Sequence, residues 1–141
     1  MIYTIGTDGK TLPQLIEMIQ GIDTVMDVRF SAVSYSAREF SNESLAVELP
    51  AIGIRYVRKP ELGVPFKRAK SYKEKTMTDD EFERYYRENH NIDTLEIESN
   101  TVLLSACAYA NKHSKQTWDC YRSILAQMLV ETGKVNEIIH L

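Results

Sequence analysis

Hydrophobic residues recur along this chain with two different spacings, and the alternation between them predicts the elements. Ile2-Tyr3-Thr4-Ile5 is a short strand-like run ending at Gly6-Thr7-Asp8-Gly9. Two glycines around small polar residues make a turn, or let backbone come close to a ligand. Leu12, Leu15, Ile16 and Ile19 share one helical face, with Thr11 and Gln14 in capping-box spacing, Pro13 in the first turn and Gly21 as the stop. Thr24 to Arg29 reads as a mostly buried strand, on which Asp27 and Arg29 point to the same side. A helix over 43–49 turns Leu45, Ala46 and Leu49 inward and is closed by Pro50 to Gly53. Residues 54–58 alternate as a third strand, and 60–65 are turn material.

Later in the chain, Thr78 and Glu81 form a second capping box before a helix that buries Phe82, Tyr85 and Tyr86. Residues 92–98 are expected to form a short helix. Thr101 to Ala106 is the clearest buried strand, and 135–141 make a last strand. Asp119 is expected to be an N-cap, because Ile124, Leu125, Met128 and Leu129 follow at helical spacing until Gly133. Strands alternating with helices predict a single-domain α/β fold, a three-layer sandwich with a mostly parallel sheet of about five strands and helices on both faces. In such sheets ligands collect at the C-terminal edge of the strands. Gly6-Thr7, Arg29, Lys59 to Gly63, and Cys107 all lie just past strand ends and should converge there.

Composition narrows the function classes. A chain of 141 residues suits one domain with a sizeable core, and a net charge of −3 argues against coating nucleic acid with the whole surface. No apolar run approaches a membrane span, and the first strand leaves no room for a signal peptide, so a soluble, cytoplasmic protein is expected. Two cysteines in that compartment are expected as free thiols. Between Arg55 and Lys75 eight Lys/Arg face two Glu, a balance of +6; between Asp79 and Glu98 it reverses to −6. These blocks read either as two solvated faces that attract each other or as a basic flap bringing phosphate ligands to the site. Tyr56, Phe66 and Tyr72 fit base stacking or plain core packing.

Candidate chemistry gathers around the last helix. Its start is a place where unpaired N–H groups and the helix dipole favour anions and thiolates, which singles out Cys120, Tyr121, Arg122 and Ser123. Cys107 and Cys120 can be nucleophile and resolving thiol, or small buried residues. Arg29, closing a buried strand, requires a partner. Either Asp27 is that partner, or Arg29 and Arg122 clamp one phosphate or carboxylate, with Thr7, Asp8 and Tyr121 around it. A metal site from Cys107, His113, Cys120 and His140 matches no compact zinc pattern, so neither metal nor other cofactor is expected. The thirteen-residue interval between the cysteines also differs from the short Cys-to-Arg loop of cysteine phosphatases, and that activity is not assigned.

Thr4-Ile5-Gly6, Asp27-Val28-Arg29, Ser34 and Phe40, Gly53-Ile54-Arg55-Tyr56, Leu62-Gly63, Cys107, and Cys120 with Arg122 occur in an order and spacing that resembles the domain-of-unknown-function family 488. These are small prokaryotic α/β proteins whose activity is not established. The resemblance covers nearly the whole chain and implies a site built from these strand ends. Relatives tend to carry His at the positions of Thr7 and Tyr121, an acid at Tyr109 and a basic residue at Tyr35. Two functions follow. One is a cysteine-dependent enzyme acting on a phosphate-bearing small molecule or nucleic acid; the other is a non-catalytic nucleotide or nucleic-acid binding module. The oppositely charged segments also suit a protein-interaction role.

Overall fold

The computed structural model describes residues 1–33 and 37–141; Ser34 and Tyr35, named above, lie outside the described residues. Strands β1 (Ile2–Gly6), β2 (Thr24–Asp27), β3 (Arg55–Arg58), β4 (Thr101–Ser105) and β5 (Ile138–His140) form one sheet in the order β3-β2-β4-β1-β5. Every ladder in it is parallel. The helices are α1 (Leu12–Met18), α2 (Asn42–Ala51), α3 (Phe66–Lys73), α4 (Asp79–Asn89) and α5 (Tyr121–Glu131).

The period of two along the strands sorts the core into two layers. Ile5, Val25, Val102 and Leu104 pack with Leu12 and Leu15 of α1 and Leu45 and Leu49 of α2. Ile2, Met26 and Leu103 face the other way, onto Tyr72 of α3, Phe82 and Tyr86 of α4, and Leu125 and Leu129 of α5. The predicted α/β sandwich is therefore present, with a wholly parallel sheet. Both capping boxes form. Thr11 accepts from the Gln14 amide at 3.3 Å and Thr78 from the Glu81 amide at 3.1 Å, and each partner side chain reaches back to the cap amide.

Four local expectations differ from the structure. Cys120, not Asp119, is the N-cap of α5. The Asp119 carboxylate is engaged elsewhere, accepting from the Lys112 amide at 2.8 Å. Residues 92–98 form no helix. Asn91 accepts from the Asp93 amide, and Lys134 donates to the carbonyls of Asp93 and Leu95, so carbonyls a helix would use are occupied. Helix α2 extends through Pro50, and Ala46 faces solvent. The basic segment, read only as charge, contains α3.

Candidate active site at the C-terminal edge of the sheet

Parallel register brings the strand ends level. Gly6 pairs with Ser105, and Asp27 with both Leu104 and Arg58. After β1 and β2 the chain turns to the α1/α2 layer, and after β3 and β4 to the α3/α4/α5 layer. The edge opens where β4 lies between β1 and β2, as expected at a topological switch point.

Arg122 forms the floor. Its side chain is fully buried at 0% exposure. Nε donates to Thr4 Oγ1 at 3.2 Å, and NH1 donates to Ser105 Oγ at 2.6 Å and to the Cys107 carbonyl at 2.5 Å. Thr4 Oγ1 also shares a hydrogen bond with His140 Nδ1, 2.6 Å away. Burial and the Arg122 charge push His140 below the usual imidazole range. The remaining nitrogen, NH2, has no partner among the described residues. Among the described residues no carboxylate pairs with Arg122. A buried cation without a counter-anion is costly; the thiols beside it are the groups available to supply one.

Above this floor lie the free thiols of Cys107 and Cys120. Ser105 accepts from Arg122, so its own hydroxyl is available to Cys120 Sγ at 3.4 Å. The Cys107 sulfur receives the Trp118 indole N–H at 3.5 Å, and the Cys120 thiol lies beside it. Hydrogen bonding with Cys120, with the positive charges of Lys73 and Arg122 adding to it, holds the Cys107 thiol down at about 6 despite its burial. Burial and the neighbouring Cys107 push Cys120 well above the ordinary thiol range. The helix-start argument, which favoured a thiolate at Cys120, is corrected here. Complete burial works against the dipole at Cys120, so the thiolate is favoured at Cys107.

Arg29 is held by Asp27. Nε and NH2 donate to the two carboxylate oxygens at 2.9 and 2.7 Å, and Tyr56 and Arg58 complete a cluster on the same carboxylate. Nε and NH1 of Arg122 are engaged in the floor and its side chain is fully buried, so the two arginines do not form an open clamp. Arg29 NH1 donates to nothing among the described residues, and Arg29 lines two adjoining cavities. The larger, about 330 Å³, is bounded by Val64, Ala69, Tyr72, Phe82 and Tyr121, with both cysteines and Trp118 on its inner wall. Phe30 and Phe66, 52% and 78% exposed, stand at its rim. The smaller, about 260 Å³, is bounded by Thr7, Asp8, Gly9 and Lys10. Asp8 is pushed above the usual carboxylate range by burial, although Lys73, Lys10, Arg122 and Arg29 oppose this.

A model of the domain of unknown function DUF488 matches residues 14–129. The chain belongs to this family. No curated protein and no solved structure matches it. The span matched to DUF488 takes in Arg29, Cys107, Cys120 and Arg122; it leaves out Thr4, Thr7 and His140 on β1, its following turn and β5.

In this DUF488 chain two candidate residues point away from the cavity's chemistry. Ser123 donates to the Cys120 carbonyl at 2.8 Å and borders a separate hollow with Ile138 and His140. Tyr121 serves as a wall, because its hydroxyl donates to the Val28 carbonyl at 3.1 Å and its ring lies on Tyr86. His113 is exposed and stacks on Tyr109. Sequence reasoning missed Trp118, Lys73 and Ser105 as site residues. Lys73 lies over the Trp118 ring, 4.9 Å from its centre, which places the basic segment at the cavity. The charge reversal at Lys75 was the signal for it; nothing in the sequence marked Ser105. Among the described residues one ion pair, Arg55–Glu98, joins the basic and acidic blocks.

Proposed function

We propose that this chain is a cysteine-dependent enzyme acting on a phosphate-bearing small molecule. The observation that carries the reading is the Cys107 sulfur, which receives a hydrogen bond from Trp118 and shares a cavity wall with Cys120, beside a buried guanidinium that has no carboxylate partner among the described residues. Such a sulfur is a nucleophile at neutral pH. The apolar part of the ligand fills the 330 Å³ cavity, and its negative group meets Arg29 NH1 and Lys73. Attack by the thiolate forms a bond from sulfur to the electrophilic centre while the leaving oxygen departs and takes up a proton. Asp8, which lines the adjoining cavity, is the carboxyl group at this edge suited to give that proton.

A second reading, a nucleotide-binding module without catalysis, is favoured by the exposed Phe30 and Phe66 rings beside the cations of α3, which suit base stacking. One experiment separates them. Iodoacetamide alkylation of Cys107 is followed against pH, with and without nucleoside monophosphates and simple phosphate monoesters. The enzyme predicts a midpoint near 6 and protection by phosphate esters. The binder predicts that Cys107→Ser keeps full ligand-induced thermal stabilisation. A midpoint near 9, the unperturbed thiol value, with no ligand effect, removes both.

A further inference from the structure

The proposed reaction makes and breaks no bond at the second sulfur, yet Cys120 is built into the site as firmly as the first. Its amide donates to the Ala110 carbonyl at 2.8 Å, and the Cys107 carbonyl is fixed by Arg122 at 2.5 Å. Both ends of the 107–120 connection are therefore tied down on one wall of one cavity, with the two thiols near enough to act on each other's ionisation. The two differ in accessibility, since Cys107 is 7% exposed and Cys120 1%. A sulfur open to a cavity, with a second and more deeply buried thiol on the same wall, is the arrangement of an attacking and a resolving cysteine.

We propose that Cys107 and Cys120 form a reversible intramolecular disulfide on reaction with hydroperoxides. In the first step the Cys107 thiolate attacks one peroxide oxygen. The S–O bond forms, the O–O bond breaks, and the departing alkoxide or hydroxide takes a proton from solvent to leave as alcohol or water. In the second, Cys120 attacks the sulfenic sulfur. The S–S bond forms, the S–O bond breaks, and the hydroxide leaves as water with the Cys120 proton. The thiol pair loses two electrons and the peroxide gains them. A small dithiol reverses the change by exchange. The disulfide removes the negative charge beside Arg122 and leaves Cys107 unable to act as a nucleophile, so oxidation switches the site off.

The inference depends on the two sulfurs alone and stands or falls separately from the phosphate ligand. Wild-type protein is treated with hydrogen peroxide, denatured, alkylated with N-ethylmaleimide and weighed intact. The expected product is a monomer lighter by two hydrogens, carrying no maleimide, and returned to a doubly alkylating form by dithiothreitol. Lys112 and Lys115 separate the cysteines, so trypsin should yield one cross-linked peptide pair. In Cys120→Ser, dimedone should instead trap Cys107 as its sulfenic acid. Sulfinic acid at Cys107 with Cys120 still alkylating in wild type, covalent dimers, or two thiols that survive peroxide would overturn the proposal. Loss of phosphate-ester protection with the disulfide intact would overturn only the enzyme reading.

Discussion

Asp27 accepts from more partners than any other carboxylate at this edge. It holds Arg29 through two side-chain bonds, meets Arg58 at 3.4 Å and accepts the Tyr56 hydroxyl at 2.5 Å, with no exposure to solvent. The cluster carries two cations against one anion, which leaves positive potential at the rim that Arg29 lines. Asp27→Asn keeps the shape but uncouples both arginines in a buried setting. The expected loss is about 3–5 kcal/mol, measured by urea unfolding; a loss within ordinary surface range would mean the arginines find water instead. At this scale the sequence was informative in part. The spacing of Asp27 and Arg29 made their pairing readable. Arg122 was not readable, because its partners Thr4, Ser105 and the Cys107 carbonyl come from β1, β4 and the chain after it. Only the parallel register, which no local pattern encodes, brings them under one guanidinium.

Among the elements, β1 and the turn after β4 are in the closest contact. A Cβ on Gly6 would lie 1.6 Å from the Cys107 carbonyl oxygen and 2.8 Å from Arg122 NH1. Backbone cannot yield there without moving the carbonyl off Arg122. Gly6→Ala should therefore cost about 2 kcal/mol or more and raise the midpoint for Cys107 alkylation above that of wild type. A melting curve and the same alkylation series check both effects, and an unchanged midpoint would detach the floor from the thiol. Elements with strong local signals were legible. Thr11/Gln14 and Thr78/Glu81 announced α1 and α4 because capping is decided within one turn. Helix α3 was illegible because its positions are dominated by Lys and Arg, and its buried residue Tyr72 shows no periodic apolar company. Asp119 misled for the opposite reason. Its residue type suits an N-cap, but the long loop before α5 claims the carboxylate for the Lys112 amide.

For the molecule as a whole, the thiol pair couples stability to pH. Cys107 is held at about 6 against an unperturbed 9, while Cys120 is pushed above 9. Between about 6 and 9 the unfolded chain keeps both thiol protons and the native chain one, so stability rises with pH across that window. Above 9 the unfolded chain sheds both protons and the native chain retains the one on Cys120, so this contribution falls again. Denaturant titrations from pH 5.5 to about 10 should show the rise in wild type and its absence in Cys107→Ser. A flat wild-type profile would mean that no thiolate is stored in the fold.

Strand order carries one more consequence. Strands β1 and β2 are never neighbours; β4 stands between them, and it begins at Thr101. During synthesis the first two strands and their helices must wait, with a vacancy at the centre of the sheet, until that late segment has left the ribosome. The keystone strand ends two residues before Cys107, so the reactive sulfur emerges almost together with the piece that closes the architecture. A nascent chain therefore gains its chemistry only as it gains its shape.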